Sequence, residues 1–257
     1  MNRIEKMKEM VDLFCLLKLA KQYLSYSDLQ RITGFHTTEL CRYARGDVLP
    51  TRHAHKLRES LTQIVNISSR IIEKMPTEPT QVISKINRNP YLLWFAIQSL
   101  MKDIAVTKID HILTTSEAAI PFATLLGQRL GCVLTIATEN KPVAVAKFLE
   151  AQLSSSDQYY ARTLYVPRDE IKSKENVLIA TAILSSGATE IALADLIQKA
   201  GANIIGLFTI VEASTEWKSV FSAANVNAPA PCAFIQMIEN GKAKIEIPEW
   251  MRPRDDP

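Results

Sequence analysis

The 257-residue sequence is poor in glycine, with 8, and its four cysteines, Cys15, Cys41, Cys132 and Cys232, are scattered without C-x-x-C spacing. The first scarcity excludes collagen-like and low-complexity chains. The second argues against a zinc ribbon, a redox pair or a dense disulfide framework, each of which needs thiols at fixed short spacing. No run of about 18 uncharged apolar residues occurs, so no membrane span is expected. The N-terminal Arg3, Glu5, Lys6, Lys8 and Glu9 are not followed by the apolar stretch of a signal peptide. A cytoplasmic location is therefore expected. Beyond residue 75 the sole histidine is His111, which leaves any Ser-His-Asp or Cys-His arrangement one ring to use. It opens a predicted strand and reads as a core-edge residue. No H-E-x-x-H and no P-loop lysine is present. These residues predict neither a catalytic set nor a metal site.

What is present suits a folded protein of two domains: hydrophobic residues make up 47% and charged residues 22%, enough apolar material for a core. The charge is unevenly placed. Residues 1–75 hold 13 Lys and Arg against 8 Asp and Glu, whereas the remainder holds 17 against 19. A basic first segment on a near-neutral remainder points to a module that binds a polyanion, although solvated surface lysines give the same count.

Apolar residues at Met7, Met10, Val11, Phe14 and Leu17 recur at three- and four-residue steps, which predicts a first helix with that face buried. Ser25 or Ser27 can cap a second helix that Gly34 breaks. Thr37 or Thr38 opens a third, which Gly46 ends. Further helix is expected from Thr51 to Met75, and the Met-Pro-Thr-Glu-Pro-Thr stretch at 75–80 is the best linker. The expected domains are residues 1–75 and 81–257.

The segment Ser27 to Tyr43 resembles the helix-turn-helix of the lambda-repressor type, with Leu29, Leu40 and Tyr43 at buried positions and Gly34 at the turn. Gln30 and Thr33 depart from the small and aliphatic residues usual there. A helical hairpin with no DNA role is the competing reading. The resemblance implies that the second helix of the motif enters the major groove, with His36, Thr37, Thr38 and Glu39 at base edges and Arg42 one turn on. Arg45, Arg52 and Lys56 would then lie near phosphates, where they add affinity rather than sequence readout.

The second domain alternates strands and helices. Strands are expected at His111–Thr115, Cys132–Ala137, Asn176–Ala180 and Asn203–Val211, and helices at Ile120–Leu130 and Thr189–Lys199. This pattern predicts an α/β domain with a mostly parallel sheet, in which ligands sit at the carboxyl ends of the strands. Ser185, Ser186, Gly187 and Ala188 are small enough for backbone amides to close around an anion. Thr189 adds a hydroxyl, and the following helix adds its positive end.

The stretch Val177 to Thr189 resembles the phosphoribosyl-pyrophosphate motif of type I phosphoribosyltransferases: four apolar residues, two acids, two apolar residues, then a small-residue loop opening a helix. By that resemblance Ser116 and Glu117 lie in the pyrophosphate loop, Lys141 meets pyrophosphate or phosphate, and residues 142–170 form a flexible hood loop. The chain departs at the acids, where Thr181 and Ala182 stand instead. In the family those acids accept hydrogen bonds from the ribose hydroxyls. At about 1.5–3 kcal/mol for each charged hydrogen bond, their loss implies a sugar held about 10² to 10⁴ less well.

Together the two motifs resemble archaeal regulators in which a helix-turn-helix precedes a phosphoribosyltransferase-like domain. The resemblance implies a homodimeric DNA-binding transcriptional regulator. Its second domain would bind a phosphorylated effector, such as phosphoribosyl pyrophosphate (PRPP) or a nucleotide, without catalysis and with no required cofactor beyond a Mg2+ accompanying the ligand. An active purine or pyrimidine phosphoribosyltransferase with an accessory helical domain is the alternative. The tail carries Trp250 among prolines and is given no chemistry.

Overall fold

The computed structural model describes residues 3–62, 66–101, 108–141, 143, 145–153, 162–224, 229–238 and 242–245. The tail with Trp250 lies outside them. The helices are α1 (Arg3–Tyr23), α2 (Tyr26–Thr33), α3 (Thr37–Ala44), α4 (Thr51–Thr62), α5 (Asn66–Glu73), α6 (Pro79–Asn87), α7 (Pro90–Met101), α8 (Ile120–Leu130), α9 (Ala188–Ala200) and α10 (Trp217–Ala223). The strands are β1 (His111–Thr115), β2 (Val133–Ala137), β3 (Phe148–Leu153), β4 (Arg162–Pro167), β5 (Asn176–Leu184), β6 (Asn203–Glu212), β7 (Cys232–Ile238) and β8 (Lys242–Ile245). The chain forms two compact units. One contains the chain as far as Met75 together with Asn89–Ser99, and the other contains Pro76–Arg88 and Leu100–Glu246.

In the first unit α1 buries Leu13, Leu16, Leu17, Leu19 and Ala20, while Met7 and Val11 remain exposed. The buried stripe is thus rotated from the one that spacing predicts. Residues 13–20 are apolar nearly all round, so the neighbours α3, α4 and α5 choose the face and periodicity cannot. α2 starts at Ser25, whose side chain accepts from the Asp28 amide while the Asp28 carboxylate accepts from Ser25 N, a reciprocal capping box. It ends at Gly34, whose φ of +70° is a conformation that costs other residues about 1–2 kcal/mol. α3 is capped by His36 rather than by a threonine: its ring Nδ1 accepts from Thr38 N at 3.3 Å, and Glu39 accepts from His36 N. An imidazole nitrogen fills the acceptor role expected of a hydroxyl. At the other end Arg45 is the C-cap and Gly46, with φ +104°, follows it. α7 follows the expected linker in sequence yet packs in this unit, its Trp94 indole donating to Asp12 Oδ1 at 3.2 Å.

In the second unit six strands form one sheet in the order β2-β1-β5-β6-β7-β8, parallel except for β8, which runs antiparallel to β7. β5 is central, and Val177 to Ala182 are buried without alternation, as a strand covered on both faces requires. Instead of a structureless hood between 142 and 170, β3 and β4 pair antiparallel, with 154–161 outside the described residues. Leu149, Ala151 and Leu153 alternate with polar neighbours and are buried with Leu164 and Val166. That period of two is the signature of a half-covered strand.

Candidate active site at the carboxyl edge of the sheet

β1, β2, β5 and β6 are parallel neighbours, so the loops that follow them open at the same edge of the sheet. This brings together three segments that are distant in sequence: 116–119 after β1, 138–141 after β2 and 185–189 after β5. The strand ends are tied side to side. Thr114 Oγ1 donates to the Ala180 carbonyl at 2.6 Å, and Thr115 Oγ1 donates to the Ala137 carbonyl at 2.8 Å. His111 lies at the opposite end, where its ring contacts Glu175 Oε2 and Thr135 Oγ1, both at 3.1 Å. It holds strands together and stays away from the site.

The 116–119 loop begins with Ser116 at φ +70°, an uncommon backbone state for a residue other than glycine. Asn87 Nδ2, at the end of α6, donates to the Ala118 carbonyl at 2.8 Å and fixes the loop from outside the motif. No sequence pattern marked Asn87, because its role depends on where α6 lands. Ser116 and Glu117 are exposed.

The 185–189 loop is built for close approach. Gly187 has φ +84° and serves as the N-cap of α9, and no side chain caps that helix. Its first amides are thus open toward the loop, where the helix carries its partial positive charge. Ala188 is the first residue of α9 and takes ordinary helical angles, so a methyl at this position meets no backbone objection. Ser185 and Ser186 are exposed, and Ser186 Oγ lies 3.5 Å from Ala188 N. α10 closes over the turn with Trp217 and Phe221 against Gly187, and the Trp217 indole donates to Glu212 Oε1 at 2.8 Å.

Lys141 does not stand free in the cleft. Its ammonium lies over the Tyr165 ring at 4.8 Å and the Phe148 ring at 5.9 Å, with Glu150 Oε2 at 3.9 Å. Thr138 bridges to Tyr165, and Arg162 pairs with Glu139 at 2.9 Å, so β3 and β4 attach to the end of β2.

Beneath the loop, Thr181 is 3% exposed and Ala182 is 5% exposed. Facing Thr181 is Glu190, the third residue of α9, 2% exposed and unremarked in the sequence. Thr181 Oγ1 and Glu190 Oε1 are both buried without a hydrogen-bond partner among the described residues. Burial dominates the Glu190 carboxyl and pushes its pKa up to about 7; the nearby Thr181 hydroxyl and the residue's own amide oppose that only in part.

In the first unit, His36, Thr38, Arg42, Arg45, Arg52 and Lys56 are exposed, while Thr37 and Glu39 are half-buried. Arg42 Nε pairs with Asp47 Oδ2 at 2.7 Å, and Lys56 lies over the Phe35 ring at 5.2 Å. Thr33, unusual for the motif, is buried with its hydroxyl satisfied by the Leu29 carbonyl at 2.7 Å, and Gln30 is exposed, so neither blocks the packing of α2 on α3.

The phosphoribosyl transferase domain model matches residues 65–228, which takes in every strand of the parallel core as far as β6. The chain belongs to the phosphoribosyltransferase family. It is 28% identical over 148 residues to a xanthine phosphoribosyltransferase of Clostridioides difficile, covering 54% of this chain and 74% of that protein. It is 28% identical over 115 residues to a hypoxanthine/guanine phosphoribosyltransferase of Methanosarcina mazei, covering 45% and 58%. In fold it is similar to the adenine phosphoribosyltransferase of Thermoanaerobacter pseudethanolicus, with TM-score 0.52, 18% identity, and 60% and 85% of the two chains covered. The family match and these relatives, which are transferases, overturn the expectation of a domain without catalysis. Loss of the acid pair does not by itself remove catalysis. A deficit of about 10² to 10⁴ is a fraction of the 10⁶-fold or greater acceleration typical of enzymes, and the small-residue loop at the start of α9 is present.

Proposed function

We propose that this chain is a phosphoribosyltransferase for a purine base. It would bind PRPP between the 116–119 and 185–189 loops, join the base nitrogen to C1 of the ribose, and release pyrophosphate. The observation that carries this reading is the open, uncapped start of α9 behind the small-residue loop, at the edge where the strained Ser116 loop also opens. Purine rather than pyrimidine follows the relatives, whose names specify xanthine, hypoxanthine and guanine, and adenine. The backbone amides of the loop would hold a phosphate, and Trp217 and Phe221 would shield that turn from water. With a threonine and an alanine in place of acids, sugar contacts fall to neutral groups. No cluster of three His, Cys, Asp or Glu side chains that could cage a metal occurs among the described residues. A Mg2+ brought by PRPP would therefore be held mainly by ligand oxygens and water, as this ion accepts. Incubation with PRPP and each of xanthine, hypoxanthine, guanine and adenine, with pyrophosphate release as readout, tests the proposal. Turnover of one base is expected, and silence with all four would refute it.

A second role is supported by the first unit and is compatible with catalysis. α2 and α3 pack across the Gly34 turn, and Thr38, Arg42, Arg45, Arg52 and Lys56 are exposed on the basic segment. That arrangement suits double-stranded DNA, with α3 in the major groove and a homodimer on a two-fold site. Salt-sensitive binding to DNA from the gene's own promoter is the expected result, and affinity independent of salt would count against it.

A further inference from the structure

We infer that Glu190 is a positioning residue of the phosphate loop: from beneath the first turn of α9, through Thr181 and the amides of that turn, it sets how strongly the loop holds a doubly charged anion. The inference rests on the reading of 185–189 as a phosphate loop. It starts from a contrast among three acids at the same helical position. Asp28 in α2 and Glu39 in α3 each reach back to the amide of their N-cap residue and close a capping box. Glu190 holds the corresponding place in α9 but makes no reciprocal bond with its N-cap residue Gly187, and it is buried against Thr181 and its own amide instead.

Among the described residues its surroundings leave it no counter-charge. Of the elements packed on α9, β5 offers the Thr181 hydroxyl and no charged residue. The charges on the others are engaged elsewhere: Glu150 on β3 lies near Lys141, Arg162 on β4 pairs with Glu139, Glu212 on β6 takes the Trp217 indole, and Lys218 on α10 sits over the Trp217 ring. On α9 itself Asp195 and Lys199 pair with each other. The carboxyl is thus a lone switchable charge under the amides that would face a ligand. Neutral, it leaves the positive end of the helix undiminished for a phosphate; ionised, it opposes a second negative charge at the same helix start. By linkage, the bound anion must raise the proton affinity of Glu190 by the same factor that protonation raises anion affinity. Burial brings the titration of Glu190 to about 7, which puts the effect near neutral pH.

The test is calorimetric titration of the full chain with sulfate, a dianion throughout the range used, and with ribose 5-phosphate. With wild type, sulfate affinity is expected to fall about tenfold between about pH 6 and about pH 8, with proton uptake seen as a buffer-dependent heat, one pKa unit of coupling being a tenfold factor. Glu190→Gln should bind equally at both pH values with no proton uptake, Glu190→Leu should do the same should the amide fold poorly, and Glu190→Asp should restore the slope. A purely structural role would lower stability in the variants and leave the pH slope of anion binding intact. Equal slopes in wild type and Glu190→Gln would overturn the inference and leave the phosphate loop standing. Failure of wild type to bind either anion at any pH would overturn both.

Discussion

A β-carbon added to Gly187 would stand 2.7 Å from Cε1 of Phe221, inside any normal contact distance, so α10 and the turn before α9 fit only because that residue has no side chain. The backbone there, at φ +84°, sets the same condition independently. Gly187→Ala is expected to lower unfolding free energy by about 2–4 kcal/mol, combining the left-handed cost with overpacking. It should also weaken ribose 5-phosphate binding, because relief of the clash must move either the loop or α10. Chemical denaturation and ligand titration measure the two effects, and a neutral result in both would show that the closure is unimportant.

Glu190 also predicts a dependence of stability on pH. Its folded pKa of about 7 is raised above that of a free carboxyl, so between about pH 4.5 and about pH 7 the folded chain binds more protons than the unfolded one. Stability from this group is therefore complete below that window and lost as pH rises through it, by up to about 3 kcal/mol. Glu190→Gln should flatten that stretch of the profile. Denaturation of both proteins at about pH 5 and about pH 8 decides it: an unchanged wild-type slope in the variant would assign the titration elsewhere.

Arg42 separates binding from folding. It is exposed, and its pair with Asp47 at 2.7 Å is a solvent-screened surface contact that adds little to stability. Arg42→Ala should leave the melting temperature nearly unchanged while weakening specific DNA binding by about 5- to 150-fold, the range for one base contact of about 1–3 kcal/mol. Arg45→Ala should instead weaken all sequences alike and reduce the salt slope by about one. Gel-shift titrations with specific and random duplexes distinguish them, and unchanged affinity in both variants would remove α3 from any DNA interface.

Ser25 closes the capping box with Asp28, donating at 2.6 Å to the carboxylate it shares with its own amide. Ser25→Ala is expected to cost about 1 kcal/mol of stability. Loss of the hydroxyl removes only one partner of Asp28, whose pKa is held below the usual carboxylate range first by Ser25. The Asp28 carboxyl should therefore titrate higher in the variant, a change that NMR titration reads directly.

Local patterns were legible where one residue type forces one geometry. His111–Thr115 and Ile120–Leu130 were readable to the residue because an apolar run and a Gly131 C-cap in the left-handed conformation bound them. Gly34 and Gly187 likewise marked turns that sterics allow to glycine. The antiparallel β3 and β4 are hidden when residues 142–170 are taken as one hood loop on the resemblance, although Ser154-Ser155-Ser156-Asp157 and Pro167 supply the turn signals that bracket short strands. α7 was missed as part of the first unit because an apolar helix does not say which core it will join. At the site, the loop Ser185 to Thr189 was visible in sequence, whereas Asn87 and Glu190 were not. Each acts through a neighbour brought close by the fold, the Ala118 carbonyl in one case and Thr181 in the other.

By itself the sequence determined the glycine turns, the apolar run of the central strand and the replacement of the acids by Thr181 and Ala182, all of which follow from residues within a few positions of one another, whereas it left the caps of α2, α3 and α9 open or misplaced. The tertiary structure decided which face of α1 is buried, that Lys141 lies over the rings of Tyr165 and Phe148, and that Glu190 is buried against Thr181 beside the 185–189 loop. The physical reason is range: sterics and capping act along the chain, but burial and desolvation depend on what the folded chain places alongside, and nothing local encodes that.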